Sequence, residues 1–360
     1  KYQISFVCPQ TYLMGNSASK NPIWHSTCYE LPLSEETLTH VQSRNDPILG
    51  DIEEYTHNTA KVTILKKEVT LDDPSSLTEQ DLQNFKTRVH LKNENLLQCY
   101  GYVLDLSHEG ASKIGVFLES YSSDAASEFA MRQSSKSCFD EEELYTSLIT
   151  VAQVLGFLQK NKISHGCFTP KSILMSNEGD IKLLDNSLIK HNHSSHSECL
   201  QGARLPYIAP ELLAHIRENS QVPSDFNQYK ADAFSLGLVF LYGALLEEPN
   251  SCYDWENYTF SESSLSDLLK KAQNRYPGRF SNILTHLLKV DTSERPDFVS
   301  LLARLGYYEQ AWQGKLSNYA ASGNVERNSA ASYSHGTSYT FVDPRVQEII
   351  REAKEKNWIK

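Results

Sequence analysis

Three places in the sequence hold residue types with the capacity for chemistry. Asp185 closes the run Ile181-Lys182-Leu183-Leu184 ahead of a loop, where a carboxylate can hold magnesium or simply cap a turn. Cys167 follows His165 closely, and a thiol beside an imidazole is an activated pair for nucleophilic attack. His191, His193, His196 and Cys199 supply zinc-ligand types. Their spacing is tight for one tetrahedral site without a supporting fold, and polar loops collect such residues by chance. No metal site is therefore expected there.

A scaffold must place these residues, and local patterns describe one. Around His165 and Asp185 the chain reads as two short strands joined by a turn at Asn177-Glu178-Gly179-Asp180. His165 stands before the first strand and Asp185 ends the second. Upstream, residues 60–71 alternate like a strand, and 77–97 read as a helix running into a loop. Two strand-like runs follow at 97–106 and 113–120, which together describe a small sheet with one helix packed on it. Beyond Ser120 the pattern turns helical. Leu144, Leu148, Val151, Leu155 and Leu158 share one face of an amphipathic helix over 141–162. The run Phe234 to Leu246 is apolar throughout but too short to span a bilayer, so it suits a buried helix. Further helical runs lie at 263–275 and 280–290.

The two ends read differently. Residues 1–50 show no clear period and carry turn formers such as Asn21-Pro22 and Asp46-Pro47-Ile48-Leu49-Gly50, so an irregular extension is expected. Residues 306–360 open as a Ser-, Asn- and Tyr-rich linker. They close on a short helix with Asp343 as N-cap, Pro344 at its first position and a stripe of Val346, Ile349, Ile350 and Ala353. A helix this short is marginal alone and is expected to dock.

Composition narrows the function classes. At 40% hydrophobic and 22% charged, the 360 residues describe a globular protein rather than a disordered or fibrous one. A net charge of −11 argues against a nucleic-acid backbone or an anionic membrane as the main partner, while leaving local basic patches open. Seven cysteines form an odd, scattered set without a CxxC pair, which favours reduced thiols in a reducing, intracellular compartment. No signal-peptide pattern opens the chain, but it starts at Lys1 rather than Met, so targeting stays open.

Five landmarks in order then resemble the protein kinase superfamily over roughly residues 50 to 305: His165, Asp185, Ala209-Pro210-Glu211 within "YIAPE", Asp232 with Gly237 in "DAFSLGLVF", and Arg295-Pro296. The resemblance implies that Glu211 pairs with Arg295 in a buried ion pair, that Asp232 holds the catalytic-loop backbone, and that His165 packs inward. An inward His165 makes Cys167 an inert thiol rather than a nucleophile. These are structural roles. The catalytic loop that the family writes HRDLKPxN stands here as "HGCFTPKS", so Cys167 replaces the catalytic Asp, Thr169 the assisting Lys, Ser172 the metal-binding Asn and Gly166 the Arg. The DFG motif becomes Asp185-Asn186-Ser187, and Arg204 stands where a Thr is usual. No GxGxxG precedes the strand at Val62, and Gly50 is the one Gly near it. Matching VAIK to "VTIL" puts Leu65 at the lysine position, whereas a one-residue slip puts Lys66 there and reverses the faces of the strand. Lys66 is also readable as a solvated edge charge. The helix Glu falls near Asn84 and Gln83, so no Lys–Glu pair is evident.

The expectation is an α+β, bilobal protein-kinase-like fold: an irregular extension over 1–50, a β-rich lobe over 51–119, a mainly helical lobe over 120–305, and a linker with docking helix over 306–360. The resemblance implies a degenerate member, a pseudokinase and not an enzyme, that serves as a protein-binding scaffold or structural component. An allosteric activator, or an atypical ATP-binding phosphotransferase using Asp185, is the alternative. No cofactor is expected. Were ATP and magnesium to bind, Asp185 and Lys66 would be the residues to hold them. Partners are expected to be proteins, such as a cytoskeletal or ciliary assembly, without nucleic acid or a membrane span. The expected location is cytoplasmic or cytoskeletal.

Overall fold

A computed structural model describes residues 23–26, 33–70, 86–105, 113–185, 206–218 and 226–306. The smaller lobe is a six-stranded antiparallel sheet of β1 (Ile23–Ser26), β2 (Leu38–Asp46), β3 (Gly50–His57), β4 (Thr63–Thr70), β5 (Cys99–Asp105) and β6 (Lys113–Glu119). Its spatial order is β1-β5-β6-β4-β3-β2. Strand period sorts β4 between two apolar faces. Leu65 stands opposite Leu118 on the face that meets Leu174 and Leu184 of the larger lobe, whereas Ile64 joins Phe117, Val103 and Leu38 on the other.

Within residues 1–50 the described stretches, 23–26 and 33–50, depart from the irregular extension expected there. β1 pairs with β5, β2 pairs with β3, and Leu33 and Leu38 enter the outer apolar cluster. The physical reason is visible in β2. It is an edge strand, exposed along most of its length and interrupted by a bulge between His40 and Gln42, so it carries no period-two signal.

The larger lobe begins with β7 (Ser123–Asp124), which pairs with the hairpin β8 (Ile173–Met175) and β9 (Ile181–Leu183). Seven helices among the described residues build the rest: α1 (Ala125–Ser135), α2 (Glu141–Lys160), α3 (Pro210–Glu218), α4 (Gln228–Leu245), α5 (Glu262–Arg275), α6 (Arg279–Leu287) and α7 (Phe298–Arg304). α2 starts at a reciprocal cap in which the Glu143 amide donates to Asp140 at 2.7 Å and the Asp140 amide donates to Glu143 at 2.9 Å. Its stripe of Leu144, Leu148, Val151, Leu155 and Leu158 is buried. α4 is buried on all sides and packs against α2, α5 and α6. At Gly237 a Cβ would stand 2.8 Å from Leu288, so only glycine lets α4 approach α6 this closely. Each large apolar side chain removed from water here contributes about 1.5–3 kcal/mol.

The sheet-bearing lobe and the helical lobe together are the expected α+β, bilobal architecture. The linker and docking helix proposed for 306–360 lie outside the described residues apart from Gly306. Among the described residues no helix is long and apolar enough to cross a membrane.

Candidate functional site

The site sits where β9 runs under the sheet, and it is held by the buried backbone around it. The Leu184 amide donates to the Ser172 carbonyl at 2.9 Å, and the Leu183 amide donates to the Asn95 carbonyl at 2.7 Å, which joins the two lobes. His165 is buried, and its Nε2–H donates to the Leu184 carbonyl at 2.9 Å. Burial pushes the His165 imidazole below its usual pKa, toward the neutral form, with the proton of that form on Nε2 where the Leu184 carbonyl takes it. Both oxygens of Asp232 accept from the loop backbone, from the His165 and Gly166 amides at 2.8 Å each. Gly166 holds φ +81, a left-handed conformation that a side chain would strain.

A second anchor lies deeper. Arg295 has no exposed side chain and meets Glu211 with two bonds of 2.6 and 3.1 Å. Its remaining donors reach the carbonyls of Lys230, Lys289 and Val290, and its guanidinium lies 4.6 Å from the Phe234 ring centre. Every N–H of this buried cation is used, which is the condition for keeping such a charge inside.

The residues suggested for chemistry are placed as follows. Asp185 is buried, and Arg88, on the helical turn at 86–89, donates to it at 2.8 Å. Lys66 projects from the sheet face opposite Leu65 and binds Glu53 and Glu68 at 2.8 Å each. Of the two registers weighed for this strand, β4 adopts the one with Leu65 inward, which places Lys66 on the other face of the sheet. Cys167 is half-buried and packs against the core of the larger lobe. The Ser172 hydroxyl accepts from the Thr169 amide at 3.2 Å, so it closes the turn after Thr169. Asn186, Ser187, Arg204, Asn84, Gln83 and the cluster His191, His193, His196 and Cys199 lie outside the described residues. Among the described residues no group of three or more His, Cys, Asp or Glu is placed to hold a metal ion.

Two residues beside the cleft were given no site role by sequence reasoning, Asp46, read only as a turn former, and Tyr121. Asp46 sits at the tip of the β2–β3 hairpin, and its carboxylate accepts from the amides of Ile48 at 2.9 Å and Leu49 at 3.0 Å. It also takes the Arg44 guanidinium at 2.8 Å and the hydroxyl of Tyr121, which lies between β6 and β7. Burial acts to raise the Asp46 pKa, but the Leu49 amide, the Tyr121 hydroxyl, the Ile48 amide and Arg44 outweigh it and hold the carboxyl below its usual range. The turn also meets the catalytic loop, where Lys171 donates to the Pro47 carbonyl at 3.4 Å. Beneath the turn Leu49, Ile52, Leu65, Leu174 and Leu184 form one apolar cluster, with Tyr121 packed on it. An Asp ahead of a tight turn is a readable sign of side-chain capping. Nothing local marks Tyr121.

A cavity of about 450 Å³ opens elsewhere, lined by Lys92, Glu94, Gln98, Tyr100, Glu119 and Lys182 among others. Lys182 binds Glu119 across it at 3.0 Å.

A sheet lobe with one helical turn against it, a helical lobe anchored by Asp232 and the Glu211–Arg295 pair, and a cleft between them define a protein-kinase-like domain. Comparison with family models matches residues 49–305 to the protein kinase domain, and the chain belongs to that family. Among curated proteins it is 25% identical over 233 residues to an Aurora kinase of Patiria pectinifera, covering 63% of this chain and 50% of that one. It is 24% identical over 315 residues to an Aurora kinase of Schizosaccharomyces pombe, covering 85% and 80%. To the serine/threonine-protein kinase atg1 of Dictyostelium discoideum it is 27% identical over 237 residues, covering 62% and 31%. The chain thus spans half or less of the length of two of these three relatives.

These matches correct the expectation that the chain is not an enzyme. It rested on departures from the family's motifs, Cys167, Thr169 and Ser172 in the catalytic loop with the altered DFG, GxGxxG and Lys–Glu positions, whereas the match runs through both lobes and its relatives are named kinases, which points to an active protein kinase. Such a kinase binds a magnesium nucleotide. In the described conformation the amides of Ile48 and Leu49 donate to Asp46, the turn lies over the apolar side chains of Leu174 and Leu184, and Asp185 is engaged by Arg88.

Proposed function

We propose that this protein kinase-family domain works through protein contacts while its cleft is closed, as a scaffold within a larger assembly, and that phosphotransfer requires the cleft to open. The observation that supports the reading most directly is the pairing of Asp185 with Arg88, which spends the candidate magnesium ligand on a guanidinium. The net charge of −11 favours protein over nucleic-acid partners. A cytoplasmic, cytoskeleton-linked assembly is the setting proposed.

The test uses the full chain drawn from its own cells. It is expected to elute in a complex well above the mass of its own denatured single chain, and to show no change in melting temperature with millimolar ATP in magnesium or in EDTA. A chain that elutes alone overturns the scaffold role. Nucleotide at about 100 times its dissociation constant stabilises by roughly 2.7 kcal/mol, which is about 5–10 °C for a domain of this size. A magnesium-dependent shift of that order overturns the closed cleft and favours phosphotransfer through Asp185.

A further inference from the structure

The β2–β3 turn makes more connections than a hairpin needs. A tight turn requires its own backbone hydrogen bonds; this one also reaches both other walls of the cleft. Asp46 binds the turn amides of Ile48 and Leu49, Arg44 on its own strand, and Tyr121 on the segment joining the lobes. Pro47 receives Lys171 from the loop that carries Cys167 and Ser172. Leu49, between them, is buried against Leu174 and Leu184. The turn amides thus donate to the protein's own carboxylate, and the turn is fastened at three points.

We propose that this turn is an autoinhibitory latch, in which Asp46 acts as an internal oxyanion that occupies the amides of Ile48 and Leu49 and ties the cleft shut through Tyr121. The inference rests on the closed-cleft reading above and adds its cause. The amides donate to one oxyanion at a time, so the phosphate oxygens of a nucleotide compete with the Asp46 carboxylate for them. The Tyr121 tie makes the competition a matter of lobe opening as well as of local charge. Lys171 adds a weaker hold, since it is exposed and its contact is long.

Two single variants of the full chain separate these parts. Asp46→Asn removes the charge and leaves one oxygen to cap the turn; Tyr121→Phe removes the tie and leaves the carboxylate on the amides. Hydrogen exchange, read by mass spectrometry over 44–52 and 119–124, reports opening without any ligand. A hydrogen bond to a charged group is worth roughly a tenfold to hundredfold change in an opening equilibrium, so Asp46→Asn is expected to speed exchange over 44–52 by about that factor. Tyr121→Phe is expected to speed exchange in both segments. Melting with millimolar ATP is the second readout, with a nucleotide shift in either variant that is larger than in the parent chain. Unchanged exchange in both variants, or a nucleotide shift equal in parent and variants, overturns the latch. A parent chain that shifts with ATP while the variants shift further overturns the closed-cleft reading and keeps the latch. If Asp46→Asn fails to fold, Tyr121→Phe alone decides.

Discussion

Replacing Arg88 by Ala is the most direct test of how the two lobes are joined at Asp185. The guanidinium nitrogen lies 2.8 Å from the carboxylate, and the side chains are 13% and 3% exposed, so solvent screens the pair little. At about 4 Å between charge centres and an effective dielectric near 20, the attraction is roughly 4 kcal/mol. Removing one partner of such a buried pair typically costs about 3–5 kcal/mol. For a domain of this size that is a fall of roughly 6–20 °C in melting temperature. The assay is a urea and thermal melt of the parent, Arg88→Ala, Asp185→Asn and the double variant. The double variant is expected to recover a large part of the loss, since both charges then leave together, with a coupling of about 1–3 kcal/mol. Lys270 with Asp267 serves as a control, because both side chains are about 70% exposed and such a pair is worth less than about 1 kcal/mol. A loss at Arg88→Ala no larger than that of the control, or a double variant no better than the two singles added, would refute the reasoning.

Two further outcomes follow from the same chemistry. Asp46 has a folded pKa held below the ordinary 3.8, so its contribution to stability is complete above that value and is lost as pH falls through the folded pKa. The stability difference between the parent and Asp46→Asn should therefore stay flat from neutral pH down to about pH 5 and shrink below 3.8; a difference that grows on acidification contradicts the assignment. Among the described cysteines, alkylation of the native chain should mark Cys138 first, since it is exposed, while Cys99, whose thiol burial pushes up to about 12, and Cys252, pushed up to about 11, stay protected. Peptide mass spectrometry after brief iodoacetamide treatment reads the order, and early labelling of Cys99 would contradict the packing of β5.

What the sequence determined by itself was whatever short-range pattern could specify. The α2 stripe repeats every three or four residues, the β8–β9 turn is spelled by Asn177-Glu178-Gly179-Asp180, and the all-apolar α4 announces its burial; each element's own residues carry its signal. The partners of Asp232 and of Arg295 were readable only through the family resemblance, since His165 lies 67 and Glu211 lies 84 residues from them. Tertiary structure alone decided the rest. β2 becomes a strand because β3 offers a partner, although its exposed edge leaves no alternation to read. The inward register of Leu65 was settled by the apolar faces on either side of β4, which a one-residue slip would have exchanged. Arg88 reaches Asp185 across 97 residues and Tyr121 reaches Asp46 across 75, and a hydrogen bond or ion pair at such separation follows from the packed path of the whole chain. Those two contacts cross the cleft, so a scan of local motifs could locate the cleft but not show what spans it.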